Sequence, residues 1–158
     1  FSYYGEMITY LGMTMPMAVA ALISWLKNPY ENNKAEVAVN RLKIGEYIFS
    51  VLLTAAVTFI FYFILKFFGT ANMFFSTLSV ATSFIAVYLT FRRSPFYAIG
   101  YSANDIVLII MWIMAAKGDK SGISVAVCFG AFLLNDIYGF ISWRKMEKRQ
   151  TNFQGVSC

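Results

Sequence analysis

The sequence predicts an all-α integral membrane protein, a bundle of about five transmembrane helices. Hydrophobic residues make up 59% of the 158 positions and charged residues only 13%, whereas a soluble domain carries about a quarter charged residues. The mean hydropathy is +0.61. So few charges cannot cover a water-facing surface, but a bundle that faces lipid over most of its outer area needs none there. The length suits one membrane domain.

A span needs about 20 mostly apolar residues, and runs 7–26, 46–68, 73–91, 96–116 and 122–143 meet that requirement. The first contains Pro16 among Met13, Met15 and Met17; a proline inside a helix removes one backbone bond and should kink it. Asn28-Pro29 and Asn32-Asn33 follow, and 27–45 reads as a loop. The second span carries Ser50, Thr54, Thr58 and Tyr62 at a four-residue step and ends at Gly69-Thr70. The third carries Ser76, Ser79 and Ser83; hydroxyls so spaced usually pack helices, bonding across or back to their own backbone. Arg92-Arg93-Ser94-Pro95 breaks the chain before the fourth span, with Ser94 placed to cap it and Pro95 in its first turn. Gly118-Asp119-Lys120-Ser121-Gly122 separates the fourth span from the fifth. The basic tail 144–158 follows, and the stretch from Gln150 to Cys158 reads as disordered.

Orientation follows from Lys and Arg, which cytoplasmic loops retain. Alternate loops place Lys27, Lys34, Arg41, Lys43, Arg92, Arg93, Arg144, Lys145, Lys148 and Arg149 on one side, and Lys66, Lys117 and Lys120 on the other. The loop after the first span, the turn after the third and the C-terminus are therefore expected in the cytoplasm. This topology, with acidic lipid headgroups, accounts for the net charge of +5 without a nucleic-acid partner. With no His and only Cys128 and Cys158, neither a Cys/His metal site nor a disulfide framework can be built. The chain starts at Phe1, and 2–6 has no signal-peptide character; the native N-terminus is expected upstream.

Polar side chains inside a span are costly and default to the bundle interior, touching water, substrate or one another. In the fourth span, Tyr101, Asn104, Asp105 and Trp112 share one face at helical spacing. In the fifth, Asn135 and Tyr138 are three apart and neighbours, beside Asp136. The two spans echo each other: Asn104-Asp105-Ile106 and Asn135-Asp136-Ile137 are each followed by a Trp eight residues after the Asn. Simpler readings stand beside this: the Asn residues joining helices, the Asp residues as neutral acids or helix-to-helix hydrogen bonds, and Trp143, next to Arg144-Lys145, in the interfacial belt.

The segments 92–97, 101–108 and 134–143, the last reading Leu-Asn-Asp-Ile-Tyr-Gly-Phe-Ile-Ser-Trp, resemble the nicotinamide riboside transporter (Pnu) family of bacterial membrane proteins. The resemblance runs from Tyr3, Gly5 and Glu6 through Ile23-Ser24-Trp25-Leu26 to Trp143. It implies a SWEET-like fold, two parallel three-helix bundles joined by a linker helix. Then 1–26 holds the last helix of the first bundle, 46–68 is the linker, 73–143 is the second bundle, and two helices precede Phe1. The resemblance places a ligand between the bundles, near the bilayer centre as repeat-built transporters do, with Tyr101, Asn104, Asn135 and Tyr138 matching the family's aromatic and amide positions. Tyr101 stands where some members carry Trp.

The implied substrate is nicotinamide riboside, taken up as an NAD precursor through the bacterial inner membrane by facilitated diffusion with alternating access, and trapped inside by phosphorylation. Aromatic faces can hold its pyridinium, Asn amides its hydroxyls and carboxamide, and Asp105 or Trp112 can complete the pocket. No cofactor or metal is implied, the partners are substrate and lipid, and a homo-oligomer is compatible with the sequence. The alternatives are the same fold carrying thiamine, riboflavin or a deoxyribonucleoside, proton coupling through Asp105 or Asp136, and a non-transporting membrane subunit. An intramembrane enzyme using the two aspartates has no His, metal set or nucleophile motif to support it.

Overall fold

The structure, a computed structural model, describes residues 4–31, 33–70, 72–116 and 121–156. Expectations resting on Tyr3, Asn32, Lys117 to Lys120 and Cys158 lie outside these residues. Five helices are long and apolar enough to cross a membrane.

The first span is two helices in register through a wider turn: α1 (Tyr4–Thr9), a π-helical turn (Tyr10–Thr14) and α2 (Met15–Leu26). Pro16 sits at the start of α2. Its ring nitrogen has no hydrogen to donate, and the backbone accommodates this by widening the preceding turn, so the irregularity lies before the proline. A short antiparallel hairpin, β1 (Pro29–Tyr30) and β2 (Asn33–Val37), then occupies the segment read as a loop.

Helix α3 (Ile44–Phe67) is 24 residues long, about 36 Å at the α-helical rise, enough for the roughly 30 Å hydrocarbon core. Its start is fixed by Glu46, which accepts from the Lys43 N–H at 2.9 Å and pairs with Arg92 at the end of the next helix. Its end is a Schellman turn: Gly69 takes the left-handed conformation at φ 61°, and Thr70 N–H donates to Leu65 O at 3.1 Å. The third span, α4 (Met73–Phe91), ends the same way on Arg93 at φ 58°, with Ser94 N–H donating to Leu89 O at 3.0 Å.

Helix α5 (Tyr97–Ala115) begins one residue later than expected. Ser94 does not cap it; the residue before the helix is Phe96, whose N–H reaches Ser94 Oγ only at 3.4 Å. The Schellman turn has already committed the Ser94 backbone to α4, which leaves Pro95 and Phe96 to form the connecting turn.

Helix α6 runs from Ser121 to Val156. This overturns the expectation of disorder from Gln150 as far as Val156. The polar composition of the tail concealed its partners: Gln150 Nε2 donates to Val37 O at 3.0 Å while its Oε1 accepts from Val39 N–H at 2.9 Å. Arg41 donates to Glu147 at 2.9 Å and to Thr151 at 3.1 Å, Arg144 also pairs with Glu147, and Arg149 pairs with Glu36. The hairpin and the extension of α6 therefore hold each other. Gln150→Ala leaves two backbone groups of the hairpin strand without partners and is expected to cost about 1–2 kcal/mol, read as a lowered midpoint of thermal unfolding in detergent.

Helix α4 is the centre of the bundle, packed on α2, α3 and α5, and α6 packs on α5. Leu65, Val80, Phe84 and Tyr88 form a core with Met13. Between α4 and α5 the helices close to backbone contact, and a methyl group built on Gly100 would stand 2.8 Å from Ala86 Cα. The outer faces carry Leu52, Phe59, Ile60, Phe74 and Ile113, all exposed, as lipid contact requires.

Candidate functional site

The polar residues of α5 face two neighbours, α4 on one side and α6 on the other. Asn104 lies seven residues into α5, about 10 Å along its axis, and retains 6% exposure. Its Oδ1 accepts from three hydroxyls of α4: Ser79 at 3.1 Å, Thr82 at 2.9 Å and Ser83 at 3.1 Å. Three hydroxyls at i, i+3 and i+4 make one face of a helix, and α4 turns that face onto the amide.

Asp105 is also buried, and its carboxyl meets that of Asp136 on α6 in side-chain contact. A bond between two carboxyl groups needs one proton between them. Asp105 Oδ2 is sealed from solvent and has no hydrogen-bond partner among the described residues.

Tyr101 is half-buried one turn nearer the start of α5. It hydrogen-bonds Thr90 of α4 and lies edge-on to Tyr97, with ring centroids 6.1 Å apart. Tyr97 in turn stands edge-on to Trp143 at 5.1 Å, and Trp143 packs tilted against Trp25 of α2 at 5.2 Å. Trp25 is anchored by donating Nε1–H to Thr90 O at 2.8 Å. An aromatic layer thus lies at the end of the bundle that carries Arg92, Arg93 and Arg144, and Trp143 is part of it.

Tyr101, Asn104 and Asp105 lie within five consecutive positions of α5 but face different neighbours, Tyr101 and Asn104 towards α4 and Asp105 towards Asp136 of α6, with Trp112 half-buried two turns further along. The structure does not bring Asn135 and Tyr138 to them. Both lie on the exposed face of α6, Tyr138 at 72% exposure, and their neighbours among the described residues do not include Tyr101, Asn104 or Asp105. Their neighbour Asp136 faces α5 instead. Sequence reasoning missed Thr82 and read Ser79 and Ser83 as packing residues; the signal available was their common helical face, but not which helix it meets. Among the described residues no group of three or more Cys, Asp or Glu could hold a metal.

Five helices long and apolar enough to cross a membrane, carrying among them a buried amide, a contacting carboxyl pair and edge-on or tilted aromatic rings, define a multi-pass α-helical membrane protein. The chain belongs to the nicotinamide mononucleotide transporter family, whose model matches residues 1–145. It is 25% identical over 156 residues to the nicotinamide riboside transporter PnuC of Neisseria mucosa, covering 96% of this chain and 59% of that protein. The crystal structure of the Vitamin B3 transporter PnuC matches its fold with a TM-score of 0.75 at 24% identity, over 93% of this chain and 64% of the other. The chain thus spans about three-fifths of the length of these proteins.

Proposed function

We propose that the protein carries nicotinamide riboside across the bacterial inner membrane as an NAD precursor, by facilitated diffusion with alternating access, and that its C-terminal end is cytoplasmic. The observation that carries this reading is Asn104, a buried amide in a membrane-spanning helix with Tyr101 one turn away. A pyridinium nucleoside offers a cation for aromatic faces and oxygen atoms for amides, so it can be held without any residue reacting. Tyr101, Asn104, Asp105 and Trp112 are the proposed α5 part of the binding site, and Asn135 and Tyr138, on the exposed face of α6 away from them, are proposed to meet the substrate from a separate side. Family membership, the longer relative named for nicotinamide riboside and the bias of basic residues toward one end support the reading.

Calorimetric titration of the purified full-length protein with nicotinamide riboside, thiamine and riboflavin tests it. Saturable binding of nicotinamide riboside alone is expected; binding of thiamine or riboflavin instead would keep the fold and move the substrate. The contact between Asp105 and Asp136 favours one second reading, proton coupling. Under facilitated diffusion, imposing a proton gradient on proteoliposomes leaves the final internal concentration equal to the external one; under coupling it raises it.

A further inference from the structure

We infer that Ser79, Thr82 and Ser83 are positioning residues that lock the Asn104 amide with its oxygen toward α4 and its nitrogen free, so that Asn104 meets its ligand only as a hydrogen-bond donor and selects for an acceptor oxygen. This rests on the binding role given to Asn104 under Proposed function and adds the polarity of the contact.

The orientation follows from counting protons. Ser79 and Ser83 each carry one hydroxyl proton, and each is directed to Asn104 Oδ1 at 3.1 Å, with no bond to a carbonyl of their own helix among the described residues. Thr82 has an alternative, Leu78 O at 3.0 Å, but Asn104 Oδ1 is nearer at 2.9 Å. A serine in a helix ordinarily returns its proton to its own backbone, so two serines aimed across a helix interface mark an acceptor there. With the amide reversed, its NH2 group would donate to the serine oxygens and the two serine protons would need other acceptors, whereas neither serine bonds a carbonyl of its own helix among the described residues. The amide oxygen, with two lone pairs, is therefore saturated, and a ligand has nothing left to donate to.

The amide nitrogen is in the opposite condition. It bonds no protein group among the described residues, yet it is not one of the sealed, partnerless polar atoms, which include Ser50 Oγ, Thr58 Oγ1 and Asp105 Oδ2. The residual exposure of Asn104 thus belongs to the donor end. A side-chain amide can in general give and take hydrogen bonds with equal ease; here the fold has used up one half of that capacity.

The decisive variant is Asn104→Asp. It keeps an oxygen for the three hydroxyls but replaces the donor by a second oxygen. If charge decided, a carboxylate would bind a pyridinium nucleoside more tightly. A donor-only contact predicts the reverse: Asn104→Asp loses affinity for nicotinamide riboside as severely as Asn104→Ala, about 100-fold, because the ligand acceptor faces an acceptor. Ser79→Ala combined with Ser83→Ala frees the amide to turn and is expected to lower affinity about 10-fold with Asn104 itself unchanged. Unaltered or tighter binding by Asn104→Asp, or unaltered binding by the serine double variant, overturns the inference. A double-mutant cycle between Ser83→Ala and Asn104→Ala, read by thermal unfolding without ligand, tests the lock independently, and strict additivity overturns it. If the wild-type protein binds no nicotinamide riboside while the cycle shows coupling, it is the substrate reading that fails and the orientation of Asn104 that stands.

Discussion

Asn104→Ala lowers affinity for nicotinamide riboside about a hundredfold in a calorimetric titration, with the protein still folded. The loss has two parts. The ligand acceptor is left facing a methyl group in a dehydrated site, and an unpaired buried polar group costs about 1–3 kcal/mol. The three α4 hydroxyls also lose their acceptor, but hydroxyls in helices can return to carbonyls four residues back, as Thr54 already does to Ser50 O at 2.7 Å. The fold therefore survives where binding does not. Circular dichroism that keeps its helical signal, beside a binding isotherm shifted by two orders of magnitude, is the expected pair of results.

Gly100→Leu acts on the fold instead. The atom that a side chain at position 100 would meet first is the backbone of Ala86, at 2.8 Å, followed by Ala86 Cβ at 2.9 Å. Neither can swing aside as a flexible side-chain end could, so α4 and α5 must separate. Close approach through small residues is what drives helix association in a membrane, and overpacking at such a seam costs about 3 kcal/mol or more. Because α4 packs on three other helices, the expected outcome is a protein that aggregates on extraction. Gly130→Ala is the control: nothing lies within 4 Å of a methyl group there, and the substitution is expected to be neutral or to gain up to about 1 kcal/mol from helix propensity. Size-exclusion chromatography in detergent separates the two variants.

The five spans were legible because hydrocarbon imposes a length and a composition that a sequence cannot disguise. The helical spacing of Tyr101, Asn104 and Asp105 was legible for a similar reason, since it needs no knowledge of neighbours, but not that Asn104 faces α4 and Asp105 faces α6. What was not legible depended on partners distant in sequence. The hairpin at Pro29–Tyr30 and Asn33–Val37 has little to stabilise it locally, since an isolated two-stranded hairpin is marginal at best. It gains its hold from Glu147, Gln150 and Arg149, more than a hundred residues away. The same bonds order the tail, whose composition alone resembles a solvated charge run. Pro16 announced an irregularity correctly but not its position, because a missing backbone donor can be absorbed by widening the turn before it. Ser79 and Ser83 displayed their spacing openly, while the acceptor they serve lies on another helix.

Helix α6 is continuous over 36 residues, about 54 Å, and only part of that length lies in the hydrocarbon. Asp136, in contact with Asp105, and Gln150, clasping the hairpin, sit on the same rod about 21 Å apart. A rigid rod gripped at both places cannot tilt at one and stay still at the other. Any rearrangement that parts the carboxyl pair is carried outside the membrane as a swing of the hairpin, magnified by the length of the lever. The protein thus has a mechanical pointer built in: a spin label on Glu31, exposed beside the hairpin strand and away from every proposed binding residue, registers what happens at the buried site.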